Sequence, residues 1–92
     1  MMKITVRAFG DLIPLLGREK TFDLDEGDTL RALTRLISDF TGGKPDHIGV
    51  HAIAGSELVI LVNGRNATTL DGLDTTLKPG DVVILLPPFA GG

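Results

Sequence analysis

The sequence predicts a single α+β domain, residues 1–92, in which one main helix packs on one face of a mixed β-sheet. Three observations carry this prediction. Residues 2–9 alternate between apolar and polar side chains, which is typical of a half-buried strand. Residues 30–40 repeat apolar side chains at helical spacing. Residues 57–62 and 82–86 contain short apolar runs of the kind found in buried strands. Together with a second strand before the helix, these segments give the order ββαββ.

The first two strands are expected to pair as an antiparallel hairpin. Within residues 2–9, one face carries Ile4, Val6 and Ala8, and the other carries Lys3, Thr5, Arg7 and Phe9. Residues 19–25 give the second strand, with Phe22 and Leu24 facing inward. The intervening residues 10–18 are predicted to form a loop, because Pro14 argues against a regular helix.

The main helix is predicted to begin after an acidic turn, with Asp28 or Thr29 accepting the free N–H groups of its first turn. Its apolar stripe consists of Leu30, Leu33, Leu36, Ile37 and Phe40. Its polar side carries Arg31, Arg35, Ser38 and Asp39. The pair Gly42-Gly43 is expected to end the helix, because glycine accepts the left-handed conformation that closes many helices.

The second half of the chain is predicted to supply the remaining strands. Residues 41–56 form a long connection that contacts the core through Ile48, Val50 and Ile53. Residues 57–62 are expected to form an inner strand, since both of its faces are apolar. Asn63-Gly64 favours a type I′ turn into a short return strand at residues 65–68.

The last strand is expected at Val82–Leu86, after a compact segment, residues 70–77, that points Leu70, Leu73 and Leu77 inward. Pro79-Gly80 suits a type II turn before this strand. Pro87 and Pro88 end the strand, because proline has no N–H to donate to a sheet. One helix cannot cover both faces of such apolar strands, so the open face should present an apolar patch of the kind that binds partner proteins.

The composition argues against several classes of protein. Nine Lys and Arg against twelve Asp and Glu give a net charge of −3, and there is no Tyr or Trp, which argues against a nucleic-acid-binding protein. The absence of Cys excludes a disulfide framework, a thiolate metal site and a catalytic thiol. The alternating start is unlike a signal peptide, and no apolar run approaches a membrane span. A cytoplasmic protein is therefore expected.

No motif in this sequence predicts catalysis or metal binding by the chain itself. Ser38 and Ser56 lack the glycine pattern of a nucleophile elbow, and Gly42-Gly43-Lys44 lacks the spacing of a phosphate-binding loop. Residues 23–28 imitate the opening of a calcium loop, but a solvated turn explains them better. His47 and His51, near Asp46, have no third strong ligand, so no metal site is predicted.

The chemistry that remains lies in the exposed tail, residues 87–92, which ends in Gly91-Gly92. Six residues reach up to roughly 20 Å at about 3.3 Å per residue. Glycine-rich ends are often inert, but two residues without Cβ can also enter a channel that side chains would block. A terminal carboxylate on Gly92 is ionised at neutral pH and reacts as an acyl donor only after activation, for example by adenylation with ATP.

The chain resembles the MoaD/ThiS group of ubiquitin-like β-grasp proteins. The resemblance rests on the ββαββ order, the Asn63-Gly64 hairpin, the segment Leu77-Lys78-Pro79-Gly80-Asp81-Val82 and the ending Leu86-Pro87-Pro88-Phe89-Ala90-Gly91-Gly92. The Pro-Pro-x-Ala-Gly-Gly ending is most similar to that of the small subunit of molybdopterin synthase.

This resemblance implies a sulfur carrier that has no catalytic activity of its own and binds no cofactor. An E1-like enzyme would use ATP to adenylate Gly92, and a sulfur donor would convert it to a thiocarboxylate. Pro87, Pro88, Phe89, Ala90 and Gly91 would thread the tail into the large synthase subunit, where sulfur passes to the pyranopterin precursor of the molybdenum cofactor. No metal, nucleic acid or membrane takes part in this function.

Partner contacts are expected on the open face, through Arg7, Phe9, Leu61 and Leu86. Relatives often carry a bulky aromatic residue where this chain has Arg7 and Leu86, so its partner surface is expected to differ from theirs. Three alternatives stay open at this point: a ubiquitin-like modifier joined through Gly92 to lysines, a carrier for another pathway such as that of thiamine, and an interaction module whose tail is inert.

Overall fold

A computed structural model describes residues 1–40 and 59–86, which form one five-stranded sheet and one long helix. The strands are β1 (Met2–Ala8), β2 (Glu19–Leu24), β3 (Val59–Val62), β4 (Arg65–Asn66) and β5 (Val82–Leu86). The helices are α1 (Ile13–Leu16) and α2 (Leu30–Phe40), with short 3₁₀ turns at Gly10–Leu12, Ala67–Thr69 and Gly72–Asp74.

The sheet has the strand order β2-β1-β5-β3-β4. The central pair, β1 and β5, is parallel, and the other pairs are antiparallel. Because α2 buries its apolar side on one face of this mixed sheet, the predicted β-grasp architecture is confirmed. Among the described strands, the first and the last, β1 and β5, thus lie side by side within the sheet.

β1 and β2 form the predicted antiparallel pair, and Ile4 lies opposite Phe22 inside the core. The loop expected at residues 10–18 is more ordered than predicted. Ile13–Leu16 forms one turn of α-helix with Pro14 at its start. The prediction was wrong because proline is excluded only from helix interiors, and the first turn has no intrahelical use for its N–H. Leu12 and Leu16 are buried and belong to the hydrophobic core.

The buried side of α2 is narrower than the sequence predicts. Leu30, Leu33 and Ile37 are fully buried, but Leu36 and Phe40 leave 36% and 51% of their surface exposed. Thr34 is fully buried instead, and its hydroxyl donates a 2.8 Å hydrogen bond to the carbonyl of Arg31, so burial leaves no unpaired group. The predicted helix end at Gly42-Gly43, the connection at residues 41–56 and the first residues of the following strand lie outside the described residues.

Both predicted turns are confirmed by their backbone geometry. Asn63 and Gly64 have φ values of 51° and 87°, as a type I′ turn requires. Gly80 has a φ of 84°, and the N–H of Asp81 donates to the carbonyl of Lys78 across the second turn. The return strand β4 is shorter than expected, because the side chain of Asn66 accepts a hydrogen bond from the N–H of Thr68 and starts a 3₁₀ turn.

The predicted inward leucines of the 70–77 segment are in place. Leu77 is buried, and Leu70 and Leu73 pack partly buried against the core. Neither α1 nor α2, the helices of the described residues, has the length and apolar character to cross a membrane.

Candidate functional site

The face of the sheet opposite α2 is divided into a polar and an apolar half. The polar half lies on β1 and β2, where cross-strand partners form ion pairs. The Nζ atom of Lys3 lies 3.1 Å from Oδ1 of Asp23, and Nε of Arg7 lies 3.8 Å from Oε2 of Glu19. These contacts are solvent-exposed, so each contributes little to stability on its own.

The apolar half lies on β3 and β5. Within β5, Val83 and Leu85 are buried against α2, so the alternate side chains point to the open face. Leu61 of β3 lies opposite Ile84, and Val59 lies opposite Leu86. Together these positions form a partly exposed surface, here called the apolar strip, made of Val59, Leu61, Val82, Ile84 and Leu86.

The four residues predicted to contact partners lie on this open face. Arg7 is the β1 partner of Ile84, and Leu61 is the β3 partner of the same residue. Phe9 is exposed and follows Ala8, which pairs with Leu85. Leu86 follows Leu85 in β5, and Phe9 is the first residue after β1, so both come directly after the pair Ala8 and Leu85. The structure thus brings the predicted set together around Ile84, and its role in binding stays a prediction.

Three residues of this surface are absent from the set predicted from sequence: Val59, Val82 and Ile84. The alternation within residues 82–86 was sufficient to place Ile84 on the open face once Val83 and Leu85 are taken as buried. Its central place, between Arg7 and Leu61, depends on the strand order. Strand order depends on long-range packing, which no local pattern reveals.

The start of β5 is held by a network between two turns. The side-chain amide of Asn63 donates to Oδ1 of Asp81 at 2.8 Å, and its carbonyl oxygen accepts from the N–H of Val82 at 3.0 Å. The second carboxylate oxygen of Asp81 accepts from the N–H of Lys78 at 2.8 Å. The N–H of Thr5 donates to the carbonyl of Asp81, which ties this network to β1.

The end of β5 is the part of the site from which the tail departs. Leu86 is the last described residue, and it belongs to the apolar strip. The tail residues singled out from the sequence lie outside the described residues; they are Pro87, Pro88, Phe89, Ala90, Gly91 and Gly92. A protein docked on the strip would therefore sit next to the point where the tail begins.

The described residues, 1–40 and 59–86, contain no group of three or more His, Asp or Glu side chains that could hold a metal ion. In the acidic turn, Asp23 faces Lys3, and the carboxylate of Asp28 accepts a 3.0 Å hydrogen bond from the N–H of Asp25. These carboxylates serve an ion pair and a turn. His47 and His51 lie outside the described residues.

Comparison with known proteins places this geometry in a family. The model of the ThiS family matches residues 6–92. Small archaeal modifier protein 3 of Haloferax volcanii is 33% identical over 104 aligned residues, covering 99% of this chain and all of that protein. An Archaeoglobus fulgidus protein provisionally named as a sulfur carrier is 37% identical over 65 residues, covering 70% of this chain and 74% of that one.

Similarity extends to solved structures. A Pyrococcus furiosus protein provisionally named molybdopterin converting factor, subunit 1, superposes with a TM-score of 0.79. Its sequence is 28% identical, and the match covers 97% of this chain and all of that one.

Proposed function

This chain belongs to the ThiS family of ubiquitin-like sulfur carriers, and on that premise we propose that it is the sulfur-donating small subunit of a molybdopterin synthase. The feature that supports this proposal best is the ending Leu86-Pro87-Pro88-Phe89-Ala90-Gly91-Gly92, which leaves directly from the apolar strip. In this function the domain docks on its partners and presents the carboxylate of Gly92 to their active sites.

The proposed chemistry at Gly92 has three steps, which are adenylation, sulfuration and sulfur transfer. An oxygen of its carboxylate attacks the α-phosphorus of ATP within an E1-like adenylating enzyme, and pyrophosphate leaves. A sulfide equivalent from a sulfur donor then attacks the acyl carbon and expels AMP, which leaves a thiocarboxylate. Within the large synthase subunit this sulfur displaces an oxygen substituent from a carbon of the pyranopterin precursor, and water hydrolyses the resulting thioester, which leaves the sulfur on the precursor and restores the carboxylate of Gly92. ATP binding and acid–base catalysis belong to these partners, so this chain is a substrate and a subunit.

Proximity is the physical basis of this division of tasks. The strip ends at Leu86, and the six residues that follow reach up to roughly 20 Å. Docking the strip converts the encounter of Gly92 with a reactive centre into an intramolecular search over a short distance. A proline pair at the start of the tail restricts the directions in which the tail can leave the sheet.

The test is intact-protein mass spectrometry after co-expression with the adenylating enzyme and sulfur donor of the organism that encodes the chain. The full chain should gain the mass of one oxygen-to-sulfur exchange, located at Gly92 by fragmentation. A chain lacking Gly92 should gain nothing while keeping the circular dichroism of the full chain. Co-purification with a large synthase subunit would assign the pathway. Absence of the exchange in the full chain would refute the proposal.

A second candidate function has an observation in its favour. The relative from Haloferax volcanii that covers 99% of this chain is called a small archaeal modifier protein. In such a role the ε-amine of a lysine would attack the same adenylated Gly92 and release AMP, giving an isopeptide bond. Tryptic peptides in which a lysine of another protein carries residues 66–92 of this chain would support that function, because trypsin cleaves last after Arg65 and does not cleave between Lys78 and Pro79. Their absence from cells that contain the thiocarboxylate would leave the sulfur carrier as the function.

A further inference from the structure

Arg7 places a cation on the boundary between the two halves of the open face. On one side its strand partner is Glu19 of β2, and on the other it is Ile84, the centre of the apolar strip. Leu61 follows Ile84 in the same row across the sheet. A guanidinium therefore borders the surface that our proposed function assigns to docking.

The ion pair of Arg7 uses little of its hydrogen-bonding capacity. Within residues 1–40 and 59–86, its guanidinium has one carboxylate partner, and that contact joins Nε to Oε2 of Glu19 at 3.8 Å. The side chains of Arg7 and Glu19 are 53% and 61% exposed, so water serves most of the donors of the guanidinium in the free chain. An arginine presents five N–H donors in a planar fork that matches a carboxylate.

Docking of a partner on the apolar strip changes the hydration of the Arg7 guanidinium. A partner that covers Ile84 and Leu61 also removes water from the neighbouring guanidinium, because the three side chains stand in one row. A charged group that loses water without gaining a hydrogen-bonding partner weakens the complex. Glu19, held through one long contact, cannot satisfy the whole fork.

We propose that the adenylating enzyme that charges this chain places a carboxylate against Arg7, so that Arg7 selects the partner. This inference rests on one part of the proposed function, the adenylation of Gly92. The sulfur carrier and the modifier both require that step. The enzyme surface that fits is apolar over Ile84 and Leu61 and acidic beside them. The terminal N–H groups of the Arg7 guanidinium donate to the enzyme carboxylate, and Nε stays paired with the carboxylate of Glu19.

Lys3 provides a matched control on the same strand and face. It forms the equivalent cross-strand ion pair with Asp23, and it is also solvent-exposed. Its backbone carbonyl accepts a hydrogen bond from the N–H of Gly80. The residue beside Lys3 on this side is therefore a glycine, which has no side chain, and not a member of the apolar strip. An effect of general charge would appear equally at both positions, whereas an effect of docking beside Ile84 would appear at Arg7 alone.

The experiment measures ATP–pyrophosphate exchange by the purified adenylating enzyme of the same organism as the concentration of this chain is varied. Arg7→Leu should raise KM about tenfold or more, Arg7→Lys less, and Arg7→Glu most, with kcat unchanged. Lys3→Leu should change KM by less than about threefold. Added salt should raise KM more steeply for the original chain than for Arg7→Leu.

Three outcomes would overturn this inference. An unchanged or lower KM for Arg7→Leu would show that the enzyme surface is apolar there. Equal effects of Arg7→Leu and Arg7→Glu, without salt dependence, would indicate that the guanidinium stacks on a ring. Equal losses at Lys3 and Arg7 would indicate a general effect of charge. ATP–pyrophosphate exchange with the original chain keeps the two proposals distinguishable: its absence counts against the adenylation on which the proposed function depends, whereas its presence with any of these three outcomes counts against the role of Arg7 alone. Thermal unfolding of each variant verifies that it is folded.

Discussion

The carboxylate of Asp81 accepts a 2.8 Å hydrogen bond from the side-chain amide of Asn63, and this contact joins the two turns that border β5. Asn63 also accepts from the N–H of Val82, and Asp81 also accepts from the N–H of Lys78. The start of the last strand is therefore fixed by side chains from two turns. Its other end, at Leu86, leads to the tail.

The first prediction concerns Asp81. Replacing it with alanine removes two hydrogen bonds to a charged acceptor and should lower the free energy of unfolding by about 1–2 kcal/mol. Urea denaturation of the purified chain measures this change. The matched control is Asp71→Ala, because no carboxylate contact of Asp71 is found within the described part of the chain. The control should stay within about 0.5 kcal/mol of the original chain. Equal losses in the two variants would contradict the structural role of Asp81.

Local patterns were sufficient to predict the turns and the buried faces of the strands. Asn63-Gly64 has one favoured conformation in a hairpin, because both residues must accept positive φ. The alternation in β1 likewise assigns Ile4 and Val6 to the core and Arg7 to the open face, as observed.

Features that depend on tertiary packing were less predictable. The spacing of apolar residues in α2 is compatible with more than one rotation of the helix about its axis. In the observed rotation Thr34 is buried and Leu36 lies at the edge of the buried side. The neighbourhood of Arg7 and Ile84 depends on the parallel pairing of β1 with β5. Residues far apart in sequence form that pairing. The sequence therefore predicted Arg7 and Leu61 but not Ile84, which lies between them.

The second prediction follows from the orientation of α2. Leu33 is fully buried and Leu36 is 36% exposed, although both belong to the predicted apolar stripe. Leu33→Ala should lower the free energy of unfolding by about 2–5 kcal/mol, because it leaves a cavity in the core. Leu36→Ala should lower it by less than about 1 kcal/mol, because its surroundings are partly water already. Chemical denaturation of the two variants side by side measures the difference, and similar losses would refute the orientation of the helix.

The third prediction concerns Lys20, which lies at the sheet edge beside the end of α2. Its Nζ atom lies 4.2 Å from the ring centroid of Phe40 and 5.6 Å from that of Phe22. The two rings meet edge to face at 6.1 Å. Lys20→Met keeps the apolar stem and removes the cation, so it should lower the free energy of unfolding by about 0.5–1 kcal/mol.

Lys78 supplies the control for Lys20, since it is an exposed lysine in the turn before β5. Lys78→Met should leave the free energy of unfolding within about 0.5 kcal/mol of the original value. Thermal denaturation followed by circular dichroism separates the two variants. A loss of stability in Lys78→Met as large as in Lys20→Met would show that the effect comes from net charge. The cation–π interaction of Lys20 would then not explain it.

The last prediction tests the centre of the apolar strip. Ile84→Thr keeps a β-branched side chain, which suits a strand, and places a hydroxyl where docking removes water. A buried hydroxyl without a partner weakens binding by about 1–2 kcal/mol, so KM for adenylation should rise about five- to thirtyfold. Thr5→Ala also changes a side chain on the same face, but Thr5 lies on β1 in the polar half, outside the apolar strip. It should therefore raise KM by less than about threefold. If both variants were adenylated with the KM of the original chain, the open face would not be the surface that the adenylating enzyme binds.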